Sequence, residues 1–174
     1  VSASDRALIV TDAVTSRVKY RLHGHTGRIN TVCVSDNAEC FLSGSYDSTV
    51  KIWDGRSRSR EPIQTLNDAS DSITSVLTLQ HRGGAEILTT SVDGFIRTYD
   101  LRMGRIFKDN AGSPIIGCDI TSISDDDGKY CIATSCLNGD IYLFEKNTGS
   151  LLKKYTGGHK AGNYGLGCLI FSNN

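Results

Sequence analysis

The chain is 174 residues long, enough for one domain with a sizeable buried core. Its 19 lysines and arginines balance its 19 aspartates and glutamates, which argues against a broad electrostatic footprint for nucleic acid or acidic membranes. No apolar run nears the roughly 18 residues of a membrane span, and nothing in the first residues reads as a signal peptide.

Residues 1–5 read as the end of a strand and a Ser-Asp turn, followed by strand character at 7–12 and at 18–22, where Val18, Tyr20 and Leu22 alternate. Strands are then predicted at 28–34, 39–45, 48–54 and 62–67. Turn formers Thr26-Gly27 and Asp36-Asn37 bound the first of these. Four more fall near 72–79, 86–91, 94–100 and 104–109, and another four near 115–123, 129–135, 140–145 and 150–156. A last strand is expected within 164–171. The expected total is fifteen: two, then three sets of four, then one. The six cysteines (33, 40, 118, 131, 136 and 168) mostly fall in these strands without a Cys-x-x-Cys pair, so they read as packed thiols rather than disulfides or metal ligands.

A repeat underlies this order. Asp5, Asp47, Asp93 and Asn138 each open a third strand, at separations of 42, 46 and 45 residues. An aliphatic residue follows each (Leu8, Val50, Ile96, Ile141), and then an acid (Asp12, Asp54, Asp100, Glu145). Just before the acid stand Thr11, Trp53, Tyr99 and Phe144. Gly24-His25 recurs as Gly158-His159, 134 residues later, or three periods. Gly-His, strand, turn, strand, Ser-x-Asp turn, strand and Trp-Asp together resemble a WD repeat, whose four-stranded unit is one blade of a β-propeller. The expected fold is therefore all-β: antiparallel four-stranded blades at 24–67, 68–112 and 113–157, with partial blades at 1–23 and 158–174, in a single domain. Fifteen strands fill no ring of whole blades. A four-bladed ring sharing one blade between the two ends is one solution. The start inside a blade and the Ser172-Asn173-Asn174 end favour a piece of a longer propeller.

His25, Ser43, Asp47 and Trp53 hold the ingredients of a hydrolase triad, with Ser45 as a second serine. The resemblance implies instead a structural tetrad, in which His25 bridges Asp47 and a strand hydroxyl and the Trp53 indole joins the same network. No Gly-His precedes the next two blades, so Asp93 and Asn138 are expected to be less fully bonded and those blades softer. Asp125-Asp126-Asp127-Gly128 has the wrong spacing for a calcium loop and reads as a hairpin turn. No metal, cofactor or catalytic site emerges, and the chain is expected not to be an enzyme.

Arg56, Arg58 and Arg60 form the one charge run, in a loop after a third strand. It reads as a solvated loop or as a contact for an acidic or phospho-regulated partner. Asp54-Gly55-Arg56 and Asp100-Leu101-Arg102 repeat an acid-x-Arg pattern in neighbouring blades. It is similar to the box by which WD-repeat substrate receptors of cullin-RING ubiquitin ligases dock on their adaptor. The bland reading pairs each arginine with a carboxylate of its own blade.

Further segments narrow the resemblance. They are Asp54-Gly55-Arg56-Ser57-Arg58 with Glu61-Pro62-Ile63-Gln64-Thr65-Leu66, Ser91-Val92-Asp93-Gly94, and Tyr99-Asp100-Leu101-Arg102-Met103-Gly104. Gly112-Ser113-Pro114-Ile115 and Asn147-Thr148-Gly149-Ser150-Leu151-Leu152 extend them. Together they resemble the mitogen-activated protein kinase organiser family, of the WD repeat-containing protein 83 type. That resemblance implies a seven-bladed ring of which this chain is the middle. It also implies a non-catalytic scaffold for an extracellular-signal-regulated kinase cascade or for splicing factors of the spliceosome, in cytoplasm and nucleus. Departures are Thr11 for tryptophan, Glu145 for aspartate, and an insertion-like stretch at 80–84.

Overall fold

Short β-rich runs separated by Gly, Asn, Asp and Ser turns can bury their side chains only by pairing into sheets, and those sheets by stacking. The computed structural model of the chain describes residues 1–35, 39–57, 59–81, 84–122 and 130–162. Among the described residues, fifteen strands form four antiparallel sheets, and no helix occurs. The first sheet comprises β1 (Ser2–Ser4), β2 (Ala7–Thr11) and β3 (Val18–His23). The second comprises β4 (Ile29–Val34), β5 (Cys40–Ser45), β6 (Val50–Asp54) and β7 (Gln64–Leu66). The third runs through β8 (Ile73–His81), β9 (Gly84–Ser91), β10 (Phe95–Asp100) and β11 (Arg105–Asn110). The fourth holds β12 (Ile115–Ser122), β13 (Tyr130–Cys136), β14 (Ile141–Glu145) and β15 (Leu151–Tyr155).

Two details differ from the sequence reading. Ser2–Ser4 pairs with Ala7–Ile9, so the first sheet has three strands where two were counted. The hairpin of the third sheet also runs further than expected. Gln80 pairs with Ala85 and His81 with Gly84, so most of the insertion-like stretch is strand extended by pairing. The strand expected within 164–171, the Asp125–Gly128 turn, Arg58 and Cys168 lie outside the described residues.

Within each sheet, alternate residues bury opposite faces. On β5, Phe41 joins Trp53, Leu8, Val10, Leu22 and Ile29 between the first and second sheets. Its neighbour Leu42 joins Val50, Ile52, Ile73, Val76 and Tyr99 between the second and third. On β9, Ile87 belongs to that second core, while Leu88 packs with Ile96, Ile115, Ile132 and Phe144 against the fourth sheet. Each such buried aliphatic side chain contributes about 1.5–3 kcal/mol. The innermost strands bring the sheets together: β1 lies on β4, β4 on β8, and β8 on β12. A Cβ at Gly44 would lie 2.4 Å from Ile73 Cγ2 and 2.7 Å from Thr31 Cγ2, so glycine is what lets β5 and β8 approach. The Asn30 amide nitrogen donates to the Ile73 carbonyl at 2.9 Å across the same junction.

Candidate functional site

The tightest cluster of functional side chains stands where the turn after β5 meets the segment before β4. Trp53 Nε1–H donates to Ser43 Oγ at 2.9 Å, and Ser43 Oγ lies 2.8 Å from His25 Nε2. His25 Nδ1 lies 2.9 Å from Asp47 Oδ2. A neutral imidazole with its proton on Nδ1 satisfies every member: indole to hydroxyl, hydroxyl to Nε2, Nδ1–H to carboxylate. Asp47 also accepts from the Thr26 N–H at 2.9 Å, the Thr49 N–H at 3.0 Å and the Thr49 hydroxyl at 2.6 Å.

The electrostatics match this assignment. Burial pushes the His25 pKa below its ordinary value, outweighing the opposite pull of the Asp47 carboxylate. Burial pushes the Asp47 carboxyl up, but hydrogen bonds from Thr49, His25 and the Thr26 amide hold it well below the usual carboxylate range. The serine, histidine and aspartate do have the spacing of a catalytic triad. Ser43 is nonetheless 0% exposed, sits in mid-strand, and carries the Trp53 indole on its oxygen. A reacting carbonyl cannot reach it, so the cluster ties a turn to a strand.

The third sheet corrects the expectation that Asp93 is poorly bonded. Arg97, 1% exposed, donates through Nη2 to Asp93 Oδ2 at 2.6 Å and through Nη1 to Ser91 Oγ at 2.9 Å. The Ser91 hydroxyl and the Phe95 and Ser70 amides also donate to Asp93. Burial raises the Asp93 pKa, yet the Arg97 and Ser91 bonds overcome it and the net shift is downward. In the fourth sheet Asn138 gives its amide to the Tyr142 hydroxyl at 3.1 Å and to Asp140 at 3.0 Å. Lys154 pairs with Asp140 at 2.9 Å. The missing histidine is thus replaced, in both sheets, by the residue four positions after the turn acid or amide. Sequence reasoning passed over Arg97 and Tyr142.

The described candidate arginines lie on two loops, Arg56 and Arg60 after β6 and Arg102 after β10. Arg56 and Arg60 are exposed, and the Arg56 guanidinium pairs with Glu39 in its own sheet. Arg102 is exposed on the turn after β10. The two acid-x-Arg turns share one geometry: Asp54 Oδ1 accepts the Arg56 N–H at 2.8 Å, and Asp100 Oδ1 accepts the Arg102 N–H at 2.9 Å. No cluster of three or more potential metal ligands occurs among the described residues. The five described cysteines are free thiols, and burial pushes that of Cys136 up to about 11, away from nucleophilic use.

The family profile "WD domain, G-beta repeat" matches residues 16–54, the stretch that holds His25, Ser43, Asp47 and Trp53. The chain is 33% identical over 184 aligned residues to "WD repeat domain-containing protein 83 homolog" of Dictyostelium discoideum, covering 91% of this chain and 55% of that protein. The chain belongs to the WD-repeat family. A rat WD-repeat relative, "WD repeat domain-containing protein 83", is 46% identical over 115 residues, covering 66% of this chain and 33% of that protein. A more distant match is the "Guanine nucleotide-binding protein subunit beta" of Zea mays, 32% identical over 129 residues, covering 70% of this chain and 33% of that protein.

Proposed function

We propose that this WD-repeat chain is a non-catalytic scaffold that gathers the proteins of a complex. Its partners would be components of an extracellular-signal-regulated kinase cascade or splicing factors, in cytoplasm and nucleus. The observation that carries this reading is the 46% identity to the rat relative over 115 residues, together with the shared repeat. The physical role is simple. Sheets interlocked through both faces make a stiff frame, and partners held on its loops react at a raised effective concentration without new chemistry.

Affinity purification of the natural full-length protein, followed by mass spectrometry, tests it. Kinase-cascade or splicing proteins should co-purify, and their absence would end the reading.

A second reading, docking on a cullin-RING ligase adaptor, draws on the matched turns at Asp54-Gly55-Arg56 and Asp100-Leu101-Arg102. The Arg56–Glu39 pair counts against it, since that head group already has a carboxylate at hand. Adaptor capture lost in the Arg56→Ala, Arg102→Ala double variant would favour docking. Capture of the adaptor unchanged by the two substitutions would remove it.

A further inference from the structure

The loop from β6 to β7 is fastened at its two ends and lightly between them. The Gly55 N–H donates to the Glu39 carbonyl at its start, and the Ile63 N–H to the Ile52 carbonyl at its close. Among the described residues, no backbone-to-backbone bond holds 56–62. Side chains hold it instead. Asp54 Oδ1 accepts the Arg56 N–H at 2.8 Å, Ser57 Oγ the Ser59 N–H at 3.2 Å, and Ser59 Oγ the Glu61 N–H at 3.2 Å. Water replaces exposed bonds of this kind at little cost. Such a segment can be drawn out straight into another protein's cleft.

An arginine followed three residues later by a serine or threonine occurs twice in the chain, as Arg28 before Thr31 and Arg56 before Ser59. Arginine-directed protein kinases read this spacing: their carboxylates grip the guanidinium while the hydroxyl meets ATP. The structure separates the two sites. Thr31 stands in β4, paired with Gly44 of β5, and β4 is itself packed on β8. Ser59 is exposed, and among the described residues its hydroxyl serves only the Glu61 N–H. Ser57, in the same run, is half-buried and tied to the turn. The Arg56 amide, then the Ser57 amide and hydroxyl, hold the Asp54 carboxyl below the ordinary carboxylate range. Three residues before Ser57 stands that same Asp54 in place of an arginine. The remaining acids beside the loop are Glu39, paired with Arg56, and Glu61, on the far side of Ser59.

We propose that Ser59 is a phosphorylation site for an arginine-directed protein kinase, and that the phosphate then takes the Arg56 guanidinium from Glu39. In the transfer Ser59 Oγ attacks the γ-phosphorus of ATP and the bond to the β,γ-bridging oxygen breaks. ADP leaves, and the hydroxyl proton passes to the kinase's catalytic aspartate. A phosphoserine carries a charge of about −1.5 to −2 and accepts both arms of a guanidinium, so it outbids a single carboxylate. Arg56 can follow it, since its side chain is 72% exposed. Residues 55–61 hold three arginines and one glutamate, so the phosphate takes this loop from basic to about neutral. The inference goes beyond the scaffold reading and does not need it, because the transfer is read on the isolated chain.

The test incubates the folded 174-residue chain with ATP and calmodulin-dependent protein kinase II, which selects arginine three residues before its acceptor. Fragment-ion mass spectrometry should find one phosphate, on Ser59, and none on Thr31. Ser59→Ala should abolish it and Ser57→Ala should keep it. Arg56→Gln should slow the transfer about tenfold or more. The phosphorus-31 resonance should titrate below the ordinary second phosphate pKa of about 6. In Arg56→Gln, phosphorylated by longer incubation, that titration should move back up. Transfer to Ser57 or Thr31 in place of Ser59, no transfer, a rate indifferent to Arg56→Gln, or one titration shared by both proteins would each overturn the proposal. So would transfer only to chain that had first been unfolded by heat.

Discussion

The second and third sheets solve one problem in two ways, and the contrast is informative. Both bury a turn carboxylate, Asp47 at 10% and Asp93 at 9% side-chain exposure. The second satisfies it with a neutral histidine that relays to Ser43 and Trp53. The third uses a permanent cation, Arg97, borrowed from the adjacent strand. The carboxylate must be paired, but the pairing group is interchangeable in charge, and with that choice goes the dependence on pH.

The largest break in this comparison is Arg97→Met. It leaves Asp93 buried without its cation, and removing one partner of such a pair costs about 3–5 kcal/mol. Urea denaturation at pH 7 should show that loss. In the wild type arginine stays charged and the lowered Asp93 pKa keeps the carboxylate ionised between pH 7 and pH 5, so the pair itself adds no pH dependence there.

A smaller effect is expected for His25→Gln, about 1–3 kcal/mol at pH 7, and its pH profile should differ. Burial lowers the folded-state pKa of His25. Below the ordinary histidine value near 6.5, the unfolded chain takes up a proton that the folded chain resists, so stability falls as pH falls. The wild type should therefore lose stability from pH 7 to pH 5 more steeply than the glutamine variant. A wild type that gained on the variant as pH fell would mean that His25 is charged in the fold, reversing the proton assignment made above.

The smallest change sharpens the comparison from the opposite side. Thr89 and Thr134 occupy the position of Ser43, and their buried hydroxyls find no hydrogen-bond partner among the described residues. Thr89→Val should leave stability unchanged or raise it by up to about 1 kcal/mol, whereas Ser43→Ala in the partnered network should lower it by about as much or more. Thermal melts of the two variants side by side check the sign. A large loss in Thr89→Val would show that this hydroxyl holds something the geometry does not reveal.

Most of the strand order was legible because the repeat fixes a spacing and pairing then does the rest. The Asp47 turn was readable because Gly24-His25 and Trp53 announce it at a distance. Three things were not. Ser2–Ser4 was read as a strand's end but left out of the count, because it is too short and polar to show alternation and its partner strand was not foreseen. The growth of β8 and β9 toward His81 and Gly84 is likewise a property of the pair rather than of either run. Arg97 was hidden for a deeper reason. A cation in a strand reads as solvent-facing, like Lys51 at the same point of the preceding sheet. These sheets are covered on both sides, so Arg97 is buried where it stands.

The chain has one tryptophan, and it is Trp53, 1% exposed with its indole on Ser43. Its fluorescence is therefore a local gauge, reading the seam between the first two sheets and nothing beyond. Far-ultraviolet circular dichroism sums all the strands. If the two signals part company on heating, the sheets let go in sequence; if they coincide, the frame fails as one.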